Sequence, residues 1–193
     1  NIGQISFYDA ARGEAYRDFA DPVAMTARSL VEGLFGIFPN ALKGALVVKP
    51  GFPAAWDHAS ISIPDITVDF KRNGKEDRYT IIPFFGKKMQ LKLVVKANGA
   101  NVQSIIVNGK KAAWKNVDDA IGSPAIEVSS GVQDKYVISI VWSGNITTVS
   151  GLQPYYTNGM KLDLQFPAAE IQSIYDPQKN LQFVKNNKEK VSA

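Results

Sequence analysis

The residue types that most often perform chemistry are scarce in this sequence. Among 193 residues there is one histidine, His58, and no cysteine. Without cysteine there is no disulfide, no thiol nucleophile and no thiolate ligand for zinc or an iron–sulfur cluster. One histidine also excludes a metal site built from several, and nothing in the sequence assigns a nucleophile to it. We expect His58 to be a surface or hydrogen-bonded loop residue, and we assign no catalytic residue, metal or cofactor.

Carboxylate pairs could act in glycoside hydrolysis, which needs an acid and a base or nucleophile at a defined separation. Asp118 and Asp119 are adjacent, and neighbouring side chains in a turn usually point apart. Glu14, Asp18 and Asp21 lie close together near residue 20, where Asp21 has the role of a helix cap. We interpret all of these carboxylates as structural or solvated groups.

Three Asn-Gly dipeptides, at residues 73–74, 108–109 and 158–159, resemble parts of phosphate-binding loops. A phosphate loop requires a strand, the spacing GxxxxGK[ST] and a helix, and the sequence does not contain that arrangement. We therefore interpret the dipeptides as turns between strands.

Aromatic side chains are the set best suited to binding, because a sugar ring can stack its CH face on a flat aromatic ring. Trp142 alternates with isoleucines in a strand and is expected in the core. Tyr155 and Tyr156 fall in a loop, and Trp114 ends a short strand. These last three are the candidate substrate-binding residues.

The charge pattern excludes some partners. The formal net charge is +4, and much of the excess is in residues 185–190, a polar tail. Because a nucleic-acid interface needs a concentrated basic face with aromatic residues between the charges, we expect no nucleic-acid partner. No run approaches the roughly 18 apolar residues of a membrane span. The chain begins at Asn1 without a signal-like segment, and we expect it to be part of a longer polypeptide.

The first 40 residues have helical periodicity, and they form a predicted helical lead-in. Asp21-Pro22 is a strong helix start, and Gly33 and Gly36 are both suitable stops. Between them an apolar stripe repeats at three- and four-residue spacing, at Val23, Ala27, Leu30, Val31 and Leu34.

Residues 41–193 have the period-two pattern of β-strands, separated by short turns. The fold class is therefore all-β, a two-sheet antiparallel, jelly-roll-like β-sandwich that follows the helical lead-in. The predicted strands are residues 45–48, 60–63, 66–70, 78–82, 89–95, 103–107, 112–114, 125–128, 136–142, 161–166 and 170–175, with 181–184 as a further candidate.

One stretch of sequence resembles a known domain junction. It contains EGLFGI at residues 32–37, PGFP at 50–53 followed by Trp56, and ASI and PD at 59–65. This pattern is similar to the passage from the last helix of an (α/α)6 barrel into a C-terminal β-sandwich in glycosidase-like proteins of gut Bacteroidetes. A looser likeness extends to the rhamnosidase and maltose phosphorylase clans. The match covers residues 22–72.

The resemblance implies a function without a catalytic residue in this chain. In such enzymes the catalytic carboxylates lie in the barrel, upstream of the junction, and the sandwich braces the barrel and sometimes borders its cleft. The implied partner is therefore an upstream (α/α)6 catalytic domain of the same polypeptide, and the implied location is the periplasm or cell surface.

The lead-in and junction carry more apolar surface than a loop that enters a sandwich needs. We predict that this surface is a domain interface, formed by Leu30, Leu34, Phe35, Ile37, Phe38 and Trp56. The alternative function is an independent carbohydrate-binding module that uses Tyr155, Tyr156 and Trp114. A third hypothesis, a cupin or lyase, is disfavoured because a metal cupin usually needs several histidines.

Overall fold

The computed structural model is mostly β and divides into two compact units. One unit contains the described residues up to Ala97 together with Val102–Trp142, and the other contains Asn98–Asn101 and the described residues from Ser143 onward. The structure describes residues 20–118, 120, 123–146, 151, 153, 155–166, 174, 176–181, 185–187 and 190–192.

The lead-in consists of two short helical segments. Helix α1 spans Ala20–Arg28, and a π-helix continues it over Ser29–Leu34. The helix begins one residue before the predicted cap, so Pro22 lies in the first turn, where a missing backbone N–H is tolerated. Of the two predicted stops, Gly36 has the left-handed φ of +63°, which only glycine adopts at little cost. The segment before residue 20 lies outside the described residues.

Fourteen strands are described. They are β1 (Ile37–Asn40), β2 (Ala45–Val48), β3 (His58–Ile63), β4 (Ile66–Asn73), β5 (Glu76–Pro83), β6 (Gln90–Lys96), β7 (Asn101–Val107), β8 (Lys110–Lys111), β9 (Trp114–Asn116), β10 (Ala125–Ser130), β11 (Tyr136–Ser143), β12 (Asp163–Gln165), β13 (Lys185–Asn187) and β14 (Lys190–Ser192).

Two sheets form the sandwich of the first unit. One has the strand order β1-β2-β6-β10-β9 and the other has the order β3-β4-β5-β11-β7-β8. Inward residues alternate along each strand, as in β11, where Tyr136, Ile138, Ile140 and Trp142 are buried and Val137 is exposed. Because both sheets contribute to one continuous buried cluster, the predicted two-sheet β-sandwich and the core position of Trp142 are confirmed.

The structure departs from the sequence pattern at two points in the first sheet. Residues 37–40 were included in the helical lead-in, yet they form β1 and pair with β2. The reason is the left-handed turn at Gly36, after which the chain continues as a strand with Ile37 in the core. The pair β2–β6 is parallel, because the chain crosses to the other sheet for β3, β4 and β5 before it returns.

The hairpin β4–β5 positions the charged residues that are described below. Asn73 pairs with Glu76, so the connecting loop is Gly74-Lys75. Gly74 has φ +56° at the first central position, as in a type II′ turn. The turn at residues 108–109 instead places both Asn108 (φ +49°) and Gly109 (φ +79°) at its centre, as in type I′. Both sites are therefore turns between strands.

The second unit contains a three-stranded sheet of order β12-β14-β13. Gly159 lies in a turn with φ +84°, where the Met160 amide donates to Thr157 O. The candidate strands at residues 170–175 and 181–184 lie mostly outside the described residues. Within the part of the chain that is described, no helix is long and apolar enough to cross a bilayer.

Candidate functional site

Half of the predicted interface residues pack inside the first unit. Phe35 and Ile37 belong to the buried core, and Leu34 is partly buried against it. Phe35 meets Phe52 edge to face, with ring centroids 5.2 Å apart, a favourable geometry for aromatic pairs. Phe35 and Ile37 are therefore covered by their own chain, whereas Leu34 keeps part of its surface exposed.

The other predicted interface residues remain on the surface. Leu30, Phe38 and Trp56 are 45%, 43% and 41% exposed. Met25 on α1 and Leu42 in the β1–β2 turn are also exposed. We call these five residues, Met25, Leu30, Phe38, Leu42 and Trp56, the exposed apolar set. Every residue from 24 to 30 is exposed, so this part of α1 and the start of the π-helix have no covered face in the described structure.

The loop that carries Trp56 is held on the sandwich by Arg72. The Arg72 backbone amide donates to Asp57 O at 2.6 Å, and its Nη1 donates to Ala54 O at 3.4 Å. The Trp56 ring stacks against Phe52, with centroids 6.3 Å apart. Trp56 is therefore a fixed surface residue whose ring packs on that of Phe52.

Arg72 is itself fixed by a buried carboxylate. Asp77 is fully buried and accepts from Arg72 Nε at 2.6 Å and Nη2 at 3.0 Å. The indole Nε1 of Trp142 donates to the same carboxylate at 3.0 Å. These hydrogen bonds from Arg72 to Asp77 raise the pKa of Arg72 above its ordinary value, against the opposing effect of burial. Next to the Arg72–Asp77 pair, burial raises the pKa of the Tyr79 hydroxyl. We call Arg72, Asp77 and Trp142 the buried network. It joins β4 and β5 to β11, and its hydrogen bonds compensate the Asp77 charge, which would otherwise be costly to bury.

A polar depression lies beside this network. Its volume is about 370 Å³, and it is lined by Asp57, His58, Lys71, Arg72, Asn73, Glu76 and Arg78. The lining comes from the outer face and hairpin end of β3, β4 and β5 and from the residue before β3. We call this surface the polar depression.

Ion pairs orient the carboxylates of the polar depression. Glu76 accepts from Arg78 Nε at 2.8 Å and Nη2 at 3.1 Å, and the Ser139 hydroxyl donates to it at 2.8 Å. These bonds, first that from Arg78, lower the pKa of Glu76. Asp57 lies 2.6 Å from His58 Nδ1, and this hydrogen bond lowers the pKa of Asp57. His58 is exposed and hydrogen-bonded, as we expected, although it begins β3 instead of lying in a loop.

The three candidate sugar-binding residues belong to different units. Trp114 is 43% exposed on β9 of the first unit, and Tyr155 of the second unit is 72% exposed. Tyr156 has a structural role, because its hydroxyl donates to Gly151 O at 3.1 Å and accepts from the Gln153 amide at 3.0 Å. Tyr155 is therefore the freer of the two tyrosine rings.

Of the residues that form the polar depression and the buried network, sequence reasoning singled out only the side chains of His58 and Trp142, and it did not bring the others together. The useful signal is the glycine of the hairpin turn, because a two-residue loop fixes the pairing of the flanking strands. With Asn73 opposite Glu76, Arg72 must face Asp77 and Lys71 must face Arg78. Within the described residues, no three His, Asp or Glu side chains form a group that could hold a metal ion.

Comparison of the sequence with known protein families and with curated proteins found no match to either.

Proposed function

We propose that this chain is a non-catalytic accessory β-sandwich domain of a glycoside-active enzyme. It packs against a helical catalytic domain of the same polypeptide, an (α/α)6 barrel. The observation that carries the proposal is the exposed apolar set, which includes Met25 on α1 and Leu30 on the π-helix, together with the absence of a covered face on residues 24–30.

An exposed short helix favours a packing partner on physical grounds. Isolated helices of fewer than about 12–15 residues are marginal in water, and most helical stability in proteins comes from burial of an apolar face. Helix α1 and the π-helix that continues it together span only residues 20–34, and Met25 and Leu30 are exposed on this segment. A neighbouring helical domain that covers Met25, Leu30 and Phe38 would supply the missing burial.

The structural roles of the junction residues also support the proposal. A Cβ added to Gly51 would lie 2.8 Å from Gly33 O, and one added to Gly36 would lie 1.9 Å from Lys49 O. These glycines therefore allow the helical segment and the β2–β3 loop to approach closely. They are the same positions that carry the resemblance to a barrel-to-sandwich junction.

The alternative, an independent carbohydrate-binding module, is supported by the exposure of Tyr155 and Trp114. The hydroxyl bonds of Tyr156 weaken it, because they favour a structural explanation for that residue.

The test begins with the coding sequence on the N-terminal side of Asn1. We expect it to encode a domain of paired helices, which can be produced separately and titrated with this chain by calorimetry. Leu30 and Phe38 are each a little under half exposed, so covering each one would contribute about 1 kcal/mol. The double substitution Leu30→Asp, Phe38→Asp removes both contributions, and affinity should fall at least tenfold.

Phe84→Asp is the control, because Phe84 is also an exposed phenylalanine, at 58% against 43% for Phe38, and lies outside the exposed apolar set. It should leave the affinity unchanged. The proposal fails if no helical domain is encoded upstream, or if the control and the double variant bind equally well. It also fails if the isolated chain, repurified, turns over aryl glycosides.

A further inference from the structure

Three basic residues lie side by side across the outer face of the second sheet. His58 on β3 pairs with Lys71 on β4, and Lys71 pairs with Arg78 on β5. All three side chains are exposed and line the polar depression. Lys71 and Arg78 carry like charges at directly opposite positions, where Cβ atoms lie about 4.5–5.5 Å apart and like charges destabilise a sheet. An anionic group that contacts both side chains would relieve this repulsion.

The donors of this row are only partly occupied. Arg78 uses Nε and Nη2 on Glu76, which leaves its Nη1 group, and Lys71 forms no ion pair with a carboxylate of the described residues. Arg72, by contrast, is neutralised by Asp77 from beneath. Among the cations that line the polar depression, Lys71 is therefore the one without an ion-pair partner in the described residues.

Hydrogen bonds within the protein hold the floor of the polar depression and the side chains of Glu76 and Arg78 before any ligand arrives. The bidentate pair of Arg72 with Asp77 holds the floor, and Glu76 is held by both Arg78 and Ser139. Fixed polar groups bind better than mobile ones, because less side-chain freedom is lost on binding. The volume of about 370 Å³ lies within the usual range for small-molecule sites, about 300–1,000 Å³.

Acceptors surround the basic row. The carboxylates of Asp57 and Glu76 and the side-chain amide of Asn73 line the same depression, and each carboxylate has more lone pairs than its present partners use. A bare anion would leave these acceptors without a donor. A ligand that carries hydroxyl groups as well as an oxyanion satisfies both sets.

We propose that the polar depression binds an acidic sugar unit, whose carboxylate or sulfate group is held by Lys71 and Arg78 and whose hydroxyl groups bond to Asp57, Glu76 and Asn73. Only the choice of a saccharide as the carrier of the oxyanion rests on the proposed function. The site shares no residue with the exposed apolar set, so the docking measurement and this one can fail separately.

The experiment is a titration of the ¹⁵N-labelled chain, followed by amide chemical shifts at low ionic strength. The probes are glucuronate, glucose 6-sulfate, glucose, and acetate or sulfate alone. We expect glucuronate or glucose 6-sulfate, or both, to shift the amides of Lys71, Arg72 and Arg78, which identifies the preferred oxyanion. Glucose, acetate and sulfate should have weaker effects at equal concentration.

A variant and a matched control test the assignment to Lys71. Lys71→Gln removes one charge-assisted hydrogen bond and should weaken binding of the acidic sugar about five- to tenfold. Lys92→Gln changes an exposed strand lysine of the other sheet and should leave binding unchanged. Equal shifts with glucose, equal shifts with acetate or sulfate alone, no shifts at all, or an unaltered affinity of the Lys71 variant would overturn the proposal.

Discussion

Asp77 shows how one charged residue organises this sandwich. It lies on β5 with its carboxylate fully buried, and it binds the guanidinium of Arg72 from the neighbouring strand and the indole of Trp142 from β11. Arg72 in turn holds the loop that carries Trp56. One carboxylate thus links the core to the surface that we assign to docking and to the floor of the polar depression.

We predict that Asp77→Asn destabilises the first unit. Asparagine keeps the shape but loses the charge, which leaves Arg72 without its counter-ion. Removal of one partner of a buried ion pair costs about 3–5 kcal/mol, and because Arg72 is partly exposed to water we expect about 2–4 kcal/mol. Urea unfolding followed by tryptophan fluorescence measures the change.

The control for this prediction is Asp65→Asn, in the exposed turn between β3 and β4. It should change the free energy of unfolding by less than about 0.5 kcal/mol. If Asp77→Asn were as stable as this control, the Arg72–Asp77 pair would contribute nothing to the fold.

Among the secondary-structure elements, the strands of the second sheet were largely predictable and the junction was not. Residues 60–63, 66–70 and 78–82 alternate apolar and polar residues with clear turns between them, and they lie within β3, β4 and β5. Strand β1 was missed because its four residues, Ile37–Asn40, include a proline and follow a helical stripe without a break in hydrophobicity. Its pairing with β2 depends on the backbone turn at Gly36, which composition does not reveal.

The partial burial of the predicted interface residues also depends on tertiary contacts that the sequence pattern does not reveal. Periodicity places Leu34 and Phe35 on an apolar surface, but it does not say whether the same chain or another one covers that surface. Phe35 is covered by Phe52, which lies 17 positions later and reaches it through the β2–β3 loop. Contacts of this kind depend on the tertiary fold, so the sequence pattern alone overestimates the exposed interface.

At the junction, we predict that Gly36→Ala is strongly destabilising. Gly36 has φ +63°, and an added Cβ would lie 1.9 Å from Lys49 O. Alanine pays about 1–2 kcal/mol for the left-handed conformation, and the clash would also disrupt the bond from the Lys49 amide to Gly36 O. We expect a loss of about 3 kcal/mol or more, measured by thermal or urea unfolding.

Gly33→Ala is the matched control at the junction. A Cβ at Gly33 meets no atom within 4 Å and its φ is not left-handed, so alanine should be neutral or stabilise by up to about 1 kcal/mol. Equal stability of the two variants would mean that the close approach of Gly36 to Lys49 does not constrain the junction.

Across the whole molecule, one local motif occurs in both compact units. In the first unit the Tyr136 hydroxyl donates to Gly131 O at 3.1 Å and accepts from the Gln133 amide at 3.0 Å. In the second unit Tyr156 makes the same two bonds, with Gly151 and Gln153. Both sites have the sequence Gly-x-Gln-x-x-Tyr, which resembles the tyrosine corner of other sandwiches. The motif therefore explains Tyr156 as a residue that braces its own loop.

The distribution of the core gives the last prediction. The buried hydrophobic residues of the core cluster all lie between Phe35 and Trp142, and β11 ends at Ser143. A chain that ends at Ser143 keeps this cluster and both sheets of the sandwich, so it should still unfold cooperatively, with a Tm within about 5 °C of that of the full chain.

A chain that ends at Asp134 loses β11 from the centre of the second sheet, between β5 and β7, together with Tyr136 and Trp142. It should not fold. Circular dichroism melts of the two truncations decide the point: a cooperative transition in both, or in neither, would mean that the first unit is not defined by this core.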